Sequence, residues 1–233
     1  MAGPNTTVRA VIEASSTVPI VMTYSAEPVA SGLIASLARP GGNITGLTSD
    51  VTPETYALRL QMLKEINPKA ARVAALWNPN AIVSKALRIT EDAAKQLGIT
   101  ITSHEARSID DLQREFTSIS EEGVDGLLVF SDGLTYARRR DIIAFATLER
   151  LPTMYGSRES ADDGGLISYG VNLSAIYRRA ASFVDKILRG ARPGELPVEQ
   201  PTVLELVINV RAAKAIGLVI PESFLLRADE VIE

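Results

Sequence analysis

Apolar and polar positions along this chain follow two different spacings. Continuous apolar runs of the length of a buried strand occur at 18–23, 71–77 and 124–130. Between such runs, apolar residues recur every three or four positions, as Tyr56 and Leu60 do, which is the spacing of an amphipathic helix. The alternation of the two patterns predicts an α/β protein whose parallel sheets are flanked by helices.

Turn residues and helix caps give the expected bounds of these elements. The predicted strands are 18–23, 43–49, 71–77, 99–104, 124–130 and 151–155. The predicted helices are 28–38, 52–67, a segment after Asn78 that ends at Gly98, a segment capped by Ser108 that ends before Gly123, 134–149, and an amphipathic segment capped by Asn172.

Composition and charge narrow the classes of function. The chain has 233 residues, of which 46% are apolar, so it can bury one large core or two modest ones. Its net charge is −4 and its pI is about 5.3, and the longest basic run, Arg138–Arg140, lies in a helical pattern. Because no basic field is present to hold a phosphate backbone, nucleic acid is not an expected partner.

The chemistry that the side chains could supply is also limited. Cysteine is absent, which excludes disulfides, thiolate metal sites and a cysteine nucleophile, and His104 is the single histidine. Neither a phosphate-binding glycine motif nor a nucleophile elbow occurs, and the neighbouring carboxylates Asp162 and Asp163 lie beside glycines in an expected solvated loop. We therefore expect no enzyme activity, no cofactor and no metal.

Membrane and export signals are not expected in this sequence. The first residues lack a charged region followed by a long apolar segment, so no secretory signal peptide is predicted. No uninterrupted apolar segment reaches about 18 residues, the length that spans a bilayer.

Three stretches carry a resemblance to a known family: GLIASLARPGGNITGLTS at 32–49, the segment 124–170 with VDGLLVFSD, LPTMYG and GGLISYGVN, and LPVEQPTVLELVINVRAAKAIGLVIP at 196–221. Together they resemble the solute-binding proteins of ABC importers, in particular a branch that includes tryptophan-binding members. The resemblance runs from about Ala10 to Glu233.

The resemblance implies a two-lobed fold of the periplasmic-binding-protein type (type I). The first lobe would hold residues 1–48 and 171–233, and the second would hold residues 49–170. The implied function is to bind a small molecule, such as an amino acid or an aromatic or apolar compound, and to deliver it to an ABC permease in the membrane. The implied location of the full-length form is the periplasm or another extracytoplasmic space.

Family members usually carry further β-α units before the position of Gly3 here. Either the sequence is a fragment, or its first lobe is shortened and its sheet edge is protected by a partner chain, for example in a homodimer. Two further interpretations stay open: a ligand-sensing regulatory domain of the same fold, and a truncated remnant that does not bind a ligand.

Most candidate ligand-binding residues lie at the ends of the predicted strands, because open α/β folds bind ligands at the carboxyl edge of the sheet. Thr48, Tyr169 and Asn172 are candidates because the resemblance places them on segments that cross between the lobes. In the first lobe the candidates are Tyr24, Ser25, Glu27 and Thr48. In the second lobe and at the return between the lobes they are Asn78, Ser131, Asp132, Tyr155, Gly156, Ser157, Tyr169 and Asn172.

Three of the candidates have a specific expected chemical role, and two have a structural alternative. Asp132 is placed to accept from an ammonium or amide donor, Tyr155 could stack on an aromatic ligand, and Gly156 allows a close approach. Alternatively, Asp132 and Asn78 only cap the helices that follow them.

Overall fold

The computed structural model describes residues 1, 3, 5–48, 52–79, 81–201 and 203–233, except for the side chains of Thr6, Tyr24, Ala81 and Ile82. The chain forms two compact units. Unit 1 comprises Met1–Val51 and Val171–Leu204, and unit 2 comprises Thr52–Gly170 and Glu205–Glu233.

Helices and strands alternate through most of the chain. The helices are α1 (Asn5–Ala14), α2 (Glu54–Ile66), α3 (Ala81–Leu97), α4 (Ile109–Glu122), α5 (Gly133–Ala137), α6 (Arg139–Leu148), α7 (Arg158–Asp162), α8 (Leu173–Leu188), α9 (Val210–Ile216) and α10 (Glu222–Leu225), with a 3-10 turn at Pro193–Glu195. The strands are β1 (Ile20–Ser25), β2 (Ile44–Thr48), β3 (Arg72–Trp77), β4 (Thr100–Glu105), β5 (Gly126–Val129), β6 (Thr153–Tyr155), β7 (Ile167–Val171), β8 (Leu204–Asn209) and β9 (Glu230–Ile232).

Unit 1 is built around the parallel pair β1 and β2, in which Ile20 lies opposite Ile44. Helix α1 packs on one side, where Val8 joins the apolar residues of the strands. Helix α8 packs on a second cluster, to which it contributes Ile176 and Phe183. The amphipathic helix that Asn172 was predicted to cap is therefore confirmed.

Unit 2 contains a seven-stranded sheet with the strand order β4-β3-β5-β6-β7-β8-β9. All pairings of defined register in it are parallel. Alternate residues of β5 point to opposite faces: Leu127 joins the core under α4 and α6, whereas Gly126 lies under Leu63 of α2. Helices thus cover both faces of the sheet, as the apolar pattern predicted.

Two predicted helices differ from the structure. Residues 28–38 form turns rather than a helix, because Gly32 adopts a φ of 70° and the amides of Leu33 and Ile34 both donate to the carbonyl of Pro28. Leu33 and Ile34 are nevertheless buried, and Leu37 packs against the same apolar cluster, which explains the helix-like spacing. The predicted helix 134–149 is divided into α5 and α6 at Arg138, whose φ of −103° and ψ of 17° are not helical.

The carboxyl-terminal residues lie in unit 2 and not, as was expected from the sequence, in the first lobe. The prediction assigned 205–233 to the first lobe, but β8 and β9 belong to the sheet of unit 2. The amide of Asn209 donates to the carbonyl of Leu166 at 2.8 Å, and Val207 of β8 pairs with Glu230 of β9. These strand pairings, which depend on residues distant in sequence, fix the segment in unit 2.

No helix in the described part of the chain combines the length and the hydropathy needed to cross a bilayer.

Candidate functional site

Three neighbouring strands of unit 2 end at one edge of the sheet with polar residues. Strand β3 is followed by Asn78, β5 by Phe130, Ser131 and Asp132, and β6 by Gly156. Because β3, β5 and β6 are adjacent and parallel, these residues meet at the same edge. The structure thus brings together four of the predicted site residues.

Asp132 has two carboxylate oxygens with different surroundings. Its Oδ1 accepts from the amide of Thr135 at 2.7 Å and caps α5, and the Thr135 hydroxyl accepts from the Asp132 amide in return. Its Oδ2 is buried and has no hydrogen-bond partner among the described residues. The cap that the sequence offered as an alternative is therefore present, but it uses only one oxygen.

Burial raises the pKa of the Asp132 carboxyl above its ordinary value of 3.8. Hydrogen bonds from Thr135 and from the Asn78 side chain act in the opposite direction. Because the pKa is raised on balance, the ionised carboxylate is disfavoured in this environment. A hydrogen-bond donor that approaches Oδ2 would stabilise the ionised form, and a cationic donor would do so most strongly.

A buried cation lies at the same edge. Arg59 of α2 is 0% exposed, its Nε donates to the carbonyl of Tyr169 at 2.7 Å, and its guanidinium carbon lies 4.5 Å from the centre of the Tyr56 ring. Its Nη1 is buried without a hydrogen-bond partner, and no carboxylate of the described residues forms an ion pair with it.

The Arg59 guanidinium lies against the ends of β5 and β6. A Cβ on Gly156 would stand 1.9 Å from the hydroxyl of Ser131 and 2.9 Å from both Nη atoms of Arg59. A Cβ on Gly170 would in turn overlap the carbonyl of Gly156. Glycine at position 156 leaves room for the arginine, and glycine at position 170 leaves room for the backbone of Gly156. The close approach at Gly156 is made by protein side chains.

Aromatic rings support this region from α2 and β5. The rings of Tyr56 and Phe130 are stacked with a centroid distance of 4.4 Å and an interplanar angle of 7°. Tyr56 therefore contacts Phe130 as well as the Arg59 guanidinium, which is an arrangement that holds the cation in place.

Three further predicted site residues contact other groups of the protein. Tyr155 is 2% exposed and belongs to the core of unit 2. The hydroxyl of Ser157 lies 3.0 Å from that of Ser160, in the first turn of α7. Asn172 lies in unit 1, where its side chain accepts from the amide of Ala175 and caps α8.

Four further predicted site residues lie in unit 1. The Ser25 hydroxyl is buried and donates to Asn5 Oδ1 at 2.6 Å. Glu27 has a φ of 41°, and its carbonyl accepts from the amide of Ser31. Thr48 is buried, and its amide donates to the carbonyl of Glu199. The side chain of Tyr24 lies outside the described residues.

His104 is held by its neighbours on β4 and α4. Its Nδ1 lies 2.8 Å from Glu115 Oε2, and its Nε2 lies 3.0 Å from the hydroxyl of Thr102. The ring is almost fully buried. In the described part of the chain, no three His, Asp or Glu side chains are grouped so as to hold a metal ion.

Arg59 was not among the candidates, although the sequence contained a signal for it. It lies three residues after Tyr56 and four before Leu63, so it is on the apolar stripe of α2. A charged side chain within an apolar stripe must be either paired or functional, because burying an isolated charge is unfavourable.

Comparison with known proteins decides the family. The family of ABC transporter substrate-binding proteins matches residues 1–232. The chain belongs to this family. The resemblance seen in the three sequence stretches is thereby confirmed.

Individual relatives agree with this assignment. A tyrosine-binding protein of Clostridioides difficile (strain R20291) is 26% identical over 211 residues, which are 90% of this chain and 60% of that protein. This substrate-binding protein thus spans less than two thirds of that relative's length. A conserved domain protein of Vibrio cholerae is 29% identical, with a TM-score of 0.85 over 98% of this chain and 76% of the other.

A third relative confirms the fold. The structure of an ABC domain in complex with L-Trp from Streptococcus pneumoniae superposes with a TM-score of 0.85 at 22% identity, over 99% of this chain and 77% of that one. The predicted fold class, a two-lobed α/β fold of the periplasmic-binding-protein type, is confirmed by these neighbours.

Proposed function

We propose that this chain is the solute-binding component of an ABC import system. We propose further that it binds a free aromatic amino acid at the edge of the unit 2 sheet where Asp132 lies. The observation that carries the proposal is the buried Oδ2 of Asp132, which has no hydrogen-bond partner among the described residues. The family supports two further parts of the proposal, a membrane permease that would receive the ligand and an extracytoplasmic location.

The chemistry of Asp132 favours a cationic donor as its partner. A buried carboxylate oxygen without a hydrogen bond costs free energy, because it has lost its water without replacement. The ammonium group of an amino acid supplies both a charge and several donors, and charge-assisted hydrogen bonds are the stronger kind. A neutral sugar or an anion would offset this cost less well.

The aromatic class is supported by the relatives, which include a protein named for tyrosine and a structure determined with L-Trp. In unit 2, the stacked rings of Tyr56 and Phe130 are buried and support the edge from within the core.

A thermal-shift titration with L-tryptophan, L-tyrosine, L-phenylalanine, leucine, lysine and glutamate tests the proposal. A ligand that binds only the folded state raises Tm by mass action, by an amount that grows with its concentration above Kd. We expect a saturable shift with at least one aromatic amino acid and smaller shifts with the other three.

The variant Asp132→Asn separates binding from folding. The asparagine Oδ1 can still accept from the Thr135 amide and cap α5, so only the charge is removed. We expect this variant to fold and to lose the ligand-induced shift, whereas Asp110→Asn on the exposed first turn of α4 should keep it. The absence of a shift with every amino acid, or an unchanged shift in Asp132→Asn, would contradict the proposal.

A further inference from the structure

The second unpaired charge of this edge belongs to Arg59. We infer that Arg59 Nη1 binds the carboxylate of the ligand, so that the site selects molecules with a free carboxylate over the corresponding amides and amines. This inference rests on the proposed function, because it concerns the same ligand and the same edge of the sheet.

The environment of Arg59 requires an anion that the described residues do not supply. The guanidinium is fully buried, donates one hydrogen bond through Nε and contacts the ring of Tyr56. These contacts leave Nη1 without an acceptor. Carboxylates are the groups that match the planar fork of a guanidinium, and a desolvated cation gains most from such a partner.

Arg59 also lies close to Ser131, the residue that precedes Asp132 in the chain. The vacant Cβ position of Gly156 lies 1.9 Å from the Ser131 hydroxyl and 2.9 Å from both Nη atoms, so Ser131 and the guanidinium meet at Gly156. Asp132 is the next residue of the chain. An unpartnered cationic donor and an unpartnered anionic acceptor therefore lie on the same sheet edge.

The charges of Arg59 and Asp132 are opposite in sign to those of the two main-chain groups of an α-amino acid. Such a ligand carries an ammonium and a carboxylate on one carbon atom, and each would meet the group of opposite charge. A ligand-binding Arg59 and a purely structural Arg59 differ in their effect on ligand preference. A structural arginine would hold Tyr169 and Tyr56 in place without any preference for the charge of the ligand.

Isothermal titration of the wild-type protein with pairs of analogues provides the test. The pairs are L-tryptophan against L-tryptophanamide, and L-tyrosine against L-tyrosinamide, since each amide keeps the ring and the ammonium but loses the anionic charge. We expect each acid to bind about 100-fold more tightly than its amide, because the amide leaves the buried guanidinium uncompensated. This comparison does not depend on any variant.

Variants of Arg59 then identify the residue responsible. Arg59→Gln should remove the preference for the acid over the amide, and Arg59→Lys should retain part of it, since a lysine keeps the charge without the planar fork. Arg88→Gln, on the exposed face of α3, is the matched control and should leave the preference unchanged.

The outcomes separate the two proposals. If the wild type binds acid and amide equally, the proposed function stands and the role of Arg59 is overturned. The same holds if Arg59→Gln folds and still prefers the acid. If the wild type binds neither acid nor amide, the proposed function fails, and the inference fails with it. If Arg59→Gln does not fold, Arg59→Lys and the wild-type ratio still decide the result.

Discussion

Arg59 and Gly156 lie so close together that a single methyl group on residue 156 would stand 2.9 Å from both Nη atoms of the arginine. The contact joins the helix α2 to the end of strand β6, and it places the guanidinium beside the polar residues that follow β5. The position of the buried cation therefore depends on the absence of a side chain in another element of unit 2.

Gly156→Ala should displace Arg59 or Ser131, because the added methyl group overlaps both. We expect the free energy of unfolding to fall by about 1–3 kcal/mol, as for other insertions into packed regions. Gly133→Ala is the matched control, since a Cβ at residue 133 meets nothing within 4 Å and its φ is not positive. Urea denaturation measures both, and equal stability of the two variants would show that the region can relax around the methyl group.

The affinity for an amino acid should decrease on acidification, and the raised pKa of Asp132 should shift this decrease to a higher pH than an ordinary aspartate would give. Burial raises the pKa of Asp132. A protonated Asp132 cannot form an ion pair with an ammonium group, so affinity is greatest above the pKa of the unliganded protein and is lost below it. Binding near that pKa should release protons.

The proton release is measurable by calorimetry in buffers of different ionisation enthalpy. An affinity that stays constant between pH 7 and pH 4, together with no proton release in this interval, would show that Asp132 is not the partner of the ligand's ammonium group.

Arg158 should stabilise the edge of the unit 2 sheet. Its Nη1 lies 2.8 Å from Glu205 of β8, and its Nη2 lies 2.5 Å from Glu230 of β9. We expect Arg158→Met to cost about 1 kcal/mol and to speed amide exchange in β9, whereas Arg88→Met, on the exposed face of α3, should change stability by less than about 0.5 kcal/mol. Unchanged exchange in β9 would rule out this role.

Asp163 should contribute stability that acid removes. The hydrogen bond from Arg140 and the charges of Arg139 and Arg140 lower the pKa of this carboxyl below 3.8. A lowered pKa in the folded state means that the contribution is complete above about pH 5 and is lost as the pH falls through the folded pKa. Asp163→Asn should therefore lose less stability than the wild type between pH 5 and pH 3.

Glu149→Gln is the control for this experiment, because Glu149 is exposed and forms no ion pair among the described residues. Its profile of unfolding free energy against pH should follow that of the wild type. Parallel profiles for Asp163→Asn and the wild type would contradict the assignment.

The sequence predicted the elements whose signals are local. The apolar run at 71–77 became β3, and the capping residues Ser108 and Asn172 begin α4 and α8 as expected. The prediction for residues 28–38 was wrong, because Leu33, Ile34 and Leu37 pack into one apolar cluster at a helix-like spacing although the backbone forms turns. Periodicity reports which residues are buried, and it does not determine the hydrogen bonds that bury them.

The candidate site was only partly predictable for a different reason. Asp132 and Gly156 could be proposed from their positions after strands, since that edge follows from the topology. Arg59 belongs to a helix far from them in sequence, and its role depends on which groups remain unpaired after folding. The orientation of Tyr155 into the core could not be predicted from the sequence either, because its strand is buried on both faces.

The most direct test of the account is a crystal structure of this protein with L-tryptophan or L-tyrosine bound. We predict the ligand ammonium within hydrogen-bond distance of Asp132 Oδ2 and the ligand carboxylate on Arg59 Nη1, at about 2.7–3.2 Å. A bound amino acid that contacts neither residue would contradict the central claim.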